Sequence, residues 1–543
     1  MNDPARTPPG APSTPTAAPL SAWSPLADPI FRALWIAALA SNVGTWMQEV
    51  GAAWLMTSLS PSPLMVALVQ AATTLPIFLL ALPAGALADV VDRRRLLITT
   101  QTWMLLATGL LGALTLLGAT TPWVLLTLTF VIGLGAALNA PAWQAIIPEL
   151  VTRPALPAAL ALNGIAINLA RAVGPALGGL VVAAAGPWAA FLLNSVSFTG
   201  VVVVLYRWRR EVRRSALPAE RMIGAMTAGL RYVRHAPDLR AVMMRSGAFI
   251  LFGSALWALL PVVARFELGV GPTGYGLLLG CLGAGAVGGA ALLPRLRRAV
   301  PINTLVASAT LIFATVILLV GLVRSYAPMC LVMVAGGGAW LTLLTSFHSS
   351  AQGVLAGWVR GRALAVYLLV FFGGMAGGSA LWGMVASHAG PSAALGWAGL
   401  GLVAALALTA RYRLTTGEGL DLAPSRHWPA PAIVDDAEAD RGPVLITVEY
   451  RVDPARAAEF ARAMRDVRRV RRRDGAFRWD LFNDSEDEWR FLESFFVESW
   501  LEHLRQHERL TVDDREFEKR ARLFHVGPEP PVVTHFIARE VPR

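Results

Sequence analysis

The sequence predicts an all-α membrane protein with twelve transmembrane helices arranged as two halves of six, followed by a small α+β domain. Composition is the first indication: 55% of the 543 residues are hydrophobic and 15% are charged, against about 25% charged residues in soluble domains. The second is the recurrence of apolar runs of roughly 20 residues, the length that crosses a lipid bilayer. Both features stop near residue 413, so we expect the lipid bilayer to surround only the region before it.

The apolar runs define the organisation of the chain. Residues 1–29 are rich in Pro, Ala, Ser and Thr and are expected to form a disordered cytoplasmic tail. A long loop, 207–241, divides a six-helix half at 30–206 from a second at 242–413. Two halves joined in this way are typical of internally repeated transporters. The predicted spans are 34–57, 63–87, 95–118, 122–144, 156–184, 187–206, 242–264, 273–293, 301–323, 328–353, 363–387 and 391–410.

The arginines are distributed unevenly between the two sides of these spans. The arginine-rich connections, among them Arg93–Arg95 and the loop 207–241, fall on one side, whereas Arg265 and Arg324 fall on the other. Positive residues concentrate on the cytoplasmic side of membrane proteins, so we predict cytoplasmic N- and C-termini and a place in the inner cell membrane. This topology accounts for much of the net charge of +11, and we expect no binding of nucleic acid.

No cofactor and no metal ion are expected. The two cysteines, Cys281 and Cys330, lie inside apolar runs, where cysteine acts as a small hydrophobic residue rather than as a disulfide or metal ligand. The chain contains no GxxxxGK[ST] sequence, the loop that holds nucleotide phosphates, so an ATP-driven pump is disfavoured.

The C-terminal region changes character after residue 413. Residues 414–441 are polar and indicate a linker, and residues 442–543 are charged and typical of a soluble domain. Periodicity in that domain predicts the order β-α-β-β-α-β, which is that of a ferredoxin-like fold. The predicted elements are a strand at 444–452, a helix at 453–470, strands at 477–484 and 488–497, a helix at 500–510 and a strand at 531–540.

Four residues of this domain have side chains that enzyme sites use: His503, His507, Trp479 and Asn483. The two histidines are one helical turn apart and could share a metal ion. No third ligand follows at a recognisable spacing, and the surrounding QHERL is typical of an exposed helix face. We therefore predict neither metal binding nor catalysis here, and favour dimerisation or a regulatory role.

Several stretches resemble the major facilitator superfamily. GALADVVDRRRLL (Gly85–Leu97) is similar to the signature loop between its second and third spans, and GPALGG within Arg171–Leu180 is similar to its antiporter motif. Phe31–Met56 and Gly361–Gly383 extend the resemblance to an efflux branch that includes the enterobactin exporter. The resemblance covers roughly residues 30–415 and implies a major-facilitator fold.

The signature loop supplies the first set of candidate site residues. Gly85 and Asp89 match the first glycine and the acid of the signature, and Arg93 and Arg94 match its basic end. The resemblance implies that the acid caps the start of span eleven in the outward-open state, where Arg362 could add an ion pair. A carboxylate at a helix N-terminus is favoured by the helix dipole. The alternative is that these arginines only fix the topology.

GPALGG supplies a second set: Gly174, Pro175, Gly178 and Gly179 in span five. Small residues allow the backbones of membrane helices to approach closely, and a proline can bend the helix. The resemblance implies an antiporter. The alternative is close packing of the kind found in any glycine-rich membrane protein.

Two charged residues inside the spans supply the third set. Glu49 in span one and Arg171 in span five are each about fifteen positions from the cytoplasmic end of their span, so their depths are expected to match. Asn42 shares a helix face with Glu49, and Asn168 shares one with Arg171. We hypothesise that Glu49 and Arg171 form a pair that opens and closes on protonation and couples a proton to export. The alternative is a static pair.

Together these features predict a proton-coupled exporter of a small amphipathic compound, such as a drug, a siderophore or a metabolite, that works by alternating access. Two alternatives remain: a lipid or lysolipid translocator on the same scaffold, and a transporter fused to a domain that modifies its cargo. Residues 442–543 are similar to antibiotic-biosynthesis monooxygenase-like domains, which pair as dimeric α+β barrels. This similarity implies a possible homodimer through 442–543, for which we expect no enzyme activity.

Overall fold

A computed structural model of the chain describes residues 21–208, 222–425, 427–428 and 441–539, with side chains except at 82, 86, 88–90 and 222–228. Most of the predicted disordered tail, residues 209–221 of the predicted loop 207–241, and residues 426 and 429–440 of the linker therefore lie outside the described residues. The helices before residue 410 are α1 (Pro29–Leu59), α2 (Pro63–Val90), α3 (Arg93–Leu116), α4 (Pro122–Leu150), α5 (Leu156–Ala185), α6 (Pro187–Arg207), α7 (Met222–His235), α8 (Pro237–Val262), α9 (Pro272–Ala299), α10 (Ile302–Leu322), α11 (Tyr326–Gly353), α12 (Arg360–Ala389) and α13 (Pro391–Thr409).

Proline and glycine set many of the helix ends. Many helices begin with a proline, whose missing N–H is no loss in the first turn of a helix. They are α1, α2, α4, α6, α8, α9 and α13. Gly186 and Gly390 end α5 and α12 with φ angles of 100° and 87°, which residues with a side chain rarely adopt. The connections within α1–α6 and within α8–α13 are short, so neighbours in sequence within each of these groups run antiparallel.

The twelve predicted spans correspond to α1–α6 and α8–α13. Within the described residues, eleven helices are long and apolar enough to cross a membrane. The exception among the twelve is α1, a helix of 31 residues that carries Arg32 and Glu49. The amphipathic helix α7 lies in the predicted loop 207–241 and was not expected.

The two halves, α1–α6 and α8–α13, pack together along two pairs of helices, α2 with α12 and α5 with α9. The bundle has two ends. The tail-domain end carries the turn at Val91–Asp92 and the residues before α12, and the far end carries Ser60–Ser62 and Gly390. At the far end, the N–H of Leu64 donates to Ser387 Oγ at 3.1 Å and links α2 to α12.

Residues after 441 form a tail domain with an antiparallel sheet in the order β2-β3-β1-β4. This is the strand order of a ferredoxin-like fold, which confirms the predicted fold class. Its elements are β1 (Val444–Arg451), α14 (Ala457–Asp474), β2 (Arg478–Asn483), β3 (Arg490–Val497), α15 (Trp500–Arg509), α16 (Val512–Arg522) and β4 (Val532–Ile537). Helix α16 was not predicted. The helices cover the sheet face that carries Ile446 and Phe495, both buried.

The tail domain packs against the C-terminal half of the bundle. α7 contacts both α12 and α14. Glu502 in α15 forms an ion pair with Arg231 in α7 at 2.9 Å. The guanidinium carbon of Arg509 lies 4.6 Å from the ring centroid of Trp358, which precedes α12. α7 and the residues before α12 thus connect the tail domain to a helix that links the two halves.

Candidate functional site

Helix α5 lies between α1 of its own half and α9 of the other half, and glycines bring it close to both. A Cβ at Gly174 would lie 2.6 Å from the Cβ of Trp46, and one at Gly178 would lie 2.8 Å from the Cα of Met47. Residues without a side chain allow membrane helices to approach this closely. The backbones of α1 and α5 are therefore nearly in contact here.

The last glycine of the same motif joins the two halves. A Cβ at Gly179 would lie 2.6 Å from the carbonyl oxygen of Pro272 and 3.0 Å from the Cα of Gly276, both in α9. Conversely, a Cβ at Gly276 would lie 2.6 Å from the carbonyl oxygen of Pro175. The motif holds α5 against α1 with one face and against α9 with another.

Glu49 and Arg171 lie beside this junction and are both half-buried. Their charges are close enough to influence each other. No ion pair of 4.0 Å or less joins these two described side chains. Arg171 instead lies over the indole of Trp46, with its guanidinium carbon 5.6 Å from the ring centroid. Its Nε is buried and has no hydrogen-bond partner among the described residues.

Glu49 also faces the other half. The phenol of Tyr275 in α9 lies within electrostatic range of Glu49. The Tyr275 ring stacks on Trp54 of α1, with the ring centroids 6.1 Å apart, and Arg265 covers the Trp54 ring at 5.3 Å. Sequence reasoning missed Tyr275, because no spacing rule connects α1 with a helix of the other half.

The predicted depth match between Glu49 and Arg171 is wrong. Glu49 lies 20 residues after the first residue of α1, whereas Arg171 lies 15 residues after the first residue of α5. Gly174 of α5 packs against Trp46 of α1, so Arg171 lies three residues before this level and Glu49 three residues after it. At about 1.5 Å per residue, the two backbones are offset by about 9 Å along the bundle. The prediction started α1 too late, because the cap at Asp28 extends the helix toward the N-terminus.

The two predicted asparagines have separate surroundings. Asn168 is exposed and donates from Nδ2 to the carbonyl oxygen of Gly164 at 2.9 Å, within its own helix. Asn42 is half-buried in α1. In the described part of the chain, neither is hydrogen-bonded to Glu49 or Arg171. A role for the asparagines in proton coupling stays a prediction.

The signature loop is tied to its own half. Arg93 Nη1 donates to Glu149 Oε1 in α4 at 2.8 Å. Arg94 donates to the carbonyl oxygens of Leu205 at 2.8 Å and Tyr206 at 2.7 Å, at the end of α6. Both arginines therefore fix the start of α3 to neighbouring helices at the tail-domain end.

The predicted contact between Asp89 and Arg362 involves an acid whose side chain lies outside the described residues. Asp89 is in the last turn of α2, and a Cβ at Gly85 would meet no described atom within 4 Å. Arg362 is in the first turn of α12, within electrostatic range of Glu502 in the tail domain. The gating role stays a prediction, and the start of α12 lies next to the tail domain.

The family model of transmembrane secretion effectors (MFS_3) matches residues 20–543. The chain belongs to this family. It is therefore a multi-pass membrane transporter of the major facilitator superfamily. The family match includes the tail domain, whose similarity to monooxygenase-like domains stays a prediction.

Two curated relatives of this transporter are efflux or siderophore proteins. The staphyloferrin A transporter of Staphylococcus aureus (strain NCTC 8325 / PS 47) is 25% identical over 224 residues, which are 41% of this chain and 56% of the relative. The multidrug efflux pump Tap of Mycolicibacterium fortuitum is 27% identical over 234 residues, which are 41% of this chain and 57% of the relative. The matched segments thus span little more than half the length of these relatives.

Solved structures share the fold. The nucleoside transporter NupG has a TM-score of 0.60 at 11% identity, over 70% of this chain and 99% of that one. An inward-facing bacterial homologue of the human lysosomal transporter Spinster has a TM-score of 0.55 at 13% identity, over 70% and 94% of the two chains. At such identities the likeness shows the fold alone, and it confirms the predicted major-facilitator architecture.

The histidines of the tail domain are not on an exposed face, contrary to prediction. His503 is 1% exposed, because β4 and the linker cover it, and its Nε2 lies 3.2 Å from Nε2 of His507. Burial, followed by the neighbouring His507 and His535, lowers the pKa of His503 to about 3. Within the described residues, no group of three His, Cys, Asp or Glu side chains is arranged to hold a metal ion.

The other two candidates of the tail domain hold its structure together. Trp479 Nε1 donates to Glu493 Oε1 at 2.9 Å inside the core. Asn483 Nδ2 donates to the backbone oxygens of Glu488 and Arg490 at 3.1 and 3.2 Å and closes the hairpin between β2 and β3.

Proposed function

We propose that this transporter is a proton-coupled exporter of a small amphipathic compound, and that it works by alternating access between its two halves. The observation that carries the proposal is the arrangement of Glu49 and Arg171, opposite charges where α1, α5 and α9 meet, without an ion pair between these two described side chains. Ionisable groups within the membrane are costly and mark proton or substrate pathways. The multidrug efflux pump among the relatives supports the direction, and this pump and the staphyloferrin A transporter support the class of cargo.

Protonation of Glu49 changes the attraction between α1 and its neighbours. Ionised Glu49 is attracted to Arg171 in its own half and lies near the phenol of Tyr275 in the other. A proton on Glu49 removes that attraction, so α1 can shift relative to α5 and α9. Because α9 belongs to the other half, the shift alters the packing between the halves and couples the proton to the change of access.

The test is transport into everted membrane vesicles that contain the full chain, with ethidium as the amphipathic probe. We expect ethidium to accumulate only under a pH gradient, and we expect Glu49→Gln to abolish this dependence. The matched control is Glu267→Gln, which removes a carboxylate that pairs with Arg324 at 3.2 Å near the far end and should leave transport unchanged. Accumulation that follows the pH gradient in Glu49→Gln would exclude Glu49 as the proton carrier.

We also propose that the tail-domain end faces the cytoplasm, as the arginine-rich connections indicate. The contact of Leu64 with Ser387 supports a state closed at the far end, in which cargo enters from the cytoplasm. In a chain without its native cysteines, Arg95→Cys should react with an impermeant thiol reagent only from the cytoplasmic side, and Ser325→Cys only from the outside. Labelling of both from one side would contradict this orientation.

We propose in addition that the tail domain pairs with a second copy through the sheet face that its helices leave open. This face carries Phe482, Phe496 and Phe536, and Phe482 and Phe536 are 50% and 53% exposed. Exposed apolar patches mark interaction sites, and one patch can pair with its own copy about a two-fold axis. Light scattering of the full-length protein in detergent should show a dimer that Phe482→Asp with Phe536→Asp turns into a monomer. An unchanged mass would exclude this interface.

A further inference from the structure

The linker between the bundle and the tail domain enters the tail domain and fills a polar pocket there. It runs beside the turn between α15 and α16, where the N–H of Ser425 donates to the carbonyl oxygen of Leu510 at 2.8 Å. His427 and Trp428 then insert their side chains between the helices, and the His427 side chain is 7% exposed. The linker is thus part of the interior of the domain that follows it.

The linker supplies most of the hydrogen bonds to one buried carboxylate, that of Glu518 in α16. Glu518 Oε1 accepts from Arg471 at 2.5 Å, and its Oε2 contacts His427 Nε2 at 2.8 Å and accepts from Trp428 Nε1 at 3.0 Å. Burial would raise the pKa of Glu518, but Arg471 together with the two linker residues lowers it to about 2. Two of these three donors belong to the linker and not to the folded domain.

A second carboxylate in the same network, by contrast, is hydrogen-bonded only by residues of the folded domain. Glu493 in β3 accepts from Arg471 at 3.1 Å, from Trp479 at 2.9 Å and from Tyr450 at 3.3 Å, all within the domain. Arg471 can balance the charge of only one of the two carboxylates. Arg522 lies 3.7 Å from Glu518 Oε2, which is beyond hydrogen-bond distance, so without the linker this oxygen of a buried carboxylate would have no hydrogen-bond donor among the described residues.

The indole of Trp428 lies in a slot shaped for a flat ring. The guanidinium carbon of Arg471 lies 4.7 Å from the Trp428 ring centroid, and the His507 ring meets it edge-on at 4.7 Å. A cation over an aromatic face and an aromatic edge contact are both favourable. The slot therefore recognises a neutral aromatic ring, and the adjacent Glu518 recognises N–H donors and a positive charge.

We propose that this pocket is a ligand site for an aromatic compound with a ring N–H and an amine on a short arm, and that His427 and Trp428 occupy it when the ligand is absent. The ring takes the place of the Trp428 indole, and the ammonium group takes the place of the His427 imidazole beside Glu518. Both replacements keep every hydrogen bond of the carboxylate. Binding then releases the linker from the domain.

Release of the linker also affects the contact between the tail domain and the membrane bundle. Leu422–Pro424 of the same linker line a cavity of about 380 Å³ together with Trp358 and Arg360, at the start of α12, and Arg509 of α15. Because the linker, the tail domain and α12 share this cavity, displacement of the linker changes how the tail domain is held at α12. The proposal concerns binding and does not depend on the proposed transport function.

The test is calorimetric titration of the full-length protein in detergent with tryptamine as the probe. We expect His427→Ala with Trp428→Ala to bind tryptamine about ten-fold more tightly than the natural chain, because no linker has to be displaced. Adding Glu518→Gln should remove this gain. Tryptophol, which has a hydroxyl in place of the amine, should bind the double variant at least about ten-fold more weakly than tryptamine does, because it brings no positive charge to Glu518.

A matched control is Trp489→Ala, which removes an indole that is 43% exposed elsewhere in the tail domain and should bind tryptamine like the natural chain. Equal affinities of the natural chain and the double variant would overturn the proposal. So would equal affinities of the double variant for tryptamine and tryptophol, because any cavity left by Trp428 could then explain the binding. The tryptamine and tryptophol comparison decides the matter even if Glu518→Gln prevents folding of the domain.

Discussion

The tail domain and the membrane bundle both contain buried charges, and they treat them in opposite ways. In the tail domain, Arg471 is 4% exposed and bonded to Glu493 at 3.1 Å and to Glu518 at 2.5 Å. In the bundle, Glu49 and Arg171 are half-buried, and these described side chains form no ion pair within 4.0 Å. In the tail domain these buried charges form ion pairs, whereas in the bundle two opposite charges remain unpaired with each other.

The difference indicates what each set of charges does. A fully bonded buried network fixes one arrangement, because removal of one member leaves the others uncompensated. Charges held apart near the middle of a membrane stabilise no single arrangement, and a change in their ionisation can favour another. Removal of Arg471 should therefore destabilise the tail domain strongly, while substitution of Glu49 should alter transport and leave stability nearly unchanged.

The largest effect is expected from Arg471→Met. Loss of the guanidinium leaves the buried Glu493 carboxylate without its cationic partner and removes the hydrogen bond to Glu518 Oε1, and breaking such a buried network costs about 3–5 kcal/mol of unfolding free energy. Hydrogen exchange of the tail domain within the full-length protein measures this loss. The matched control is Arg490→Met, which breaks an exposed pair with Glu449 at 2.8 Å and should cost far less, because water screens an exposed ion pair. Similar losses of unfolding free energy in the two variants would contradict the view that the buried network stabilises the tail domain.

A smaller effect is expected from Gly179→Val in the bundle. The new side chain would meet the backbone of Pro272 and Gly276, and overpacking of this kind costs about 1–3 kcal/mol. The thermal midpoint in detergent should fall, and transport should weaken because α5 and α9 are pushed apart. Gly288→Val, in α9 where a Cβ meets no described atom within 4 Å, is the control and should leave the midpoint in place.

The histidines of the tail domain predict a moderate dependence on pH. Burial, then neighbouring charges, lowers the pKa of His503 to about 3 and that of His507 to about 4, below the ordinary 6.5. The unfolded chain therefore takes up protons first, and stability falls as the pH drops from about 6.5 toward about 4. We expect the unfolding midpoint of the tail domain to fall by about 4 °C or more over this range. His503→Gln with His507→Gln should reduce the dependence of the unfolding midpoint on pH. An unchanged dependence would mean that other titratable groups cause it.

The smallest effect on stability is expected from Glu49→Gln. No ion pair or hydrogen bond of Glu49 within the described residues is lost, so the unfolding free energy should change by less than about 1 kcal/mol. Thermal unfolding of the detergent-solubilised protein measures it beside the vesicle assay. A large loss of stability together with loss of transport would mean that Glu49 holds the bundle together, and the contrast with Arg471 would disappear.

The elements that the sequence failed to predict are the charged ones. α16 (Val512–Arg522) is mostly charged, and its apolar face is too narrow to show a clear period. Its start carries a capping box between Thr511 and Asp514, which could have identified it. α7 was missed because a short amphipathic helix in an arginine-rich loop resembles a polar connection. Residues 414–441 were predicted to be a polar linker, although His427 and Trp428 contact the buried carboxylate of Glu518 in the tail domain.

The amino-acid sequence alone determined the membrane spans, the side that carries the arginines and the strand order of the tail domain. These properties are local. They depend on the length of an apolar run, on a proline or glycine at its end and on the alternation of apolar and polar residues within a strand. Only the tertiary structure decided that Glu49 and Arg171 form no ion pair, that Tyr275 of the other half lies near Glu49 and that two linker residues contact Glu518. Such contacts depend on the relative positions of distant helices, and a shift of one turn in where a helix begins changes which side chains meet.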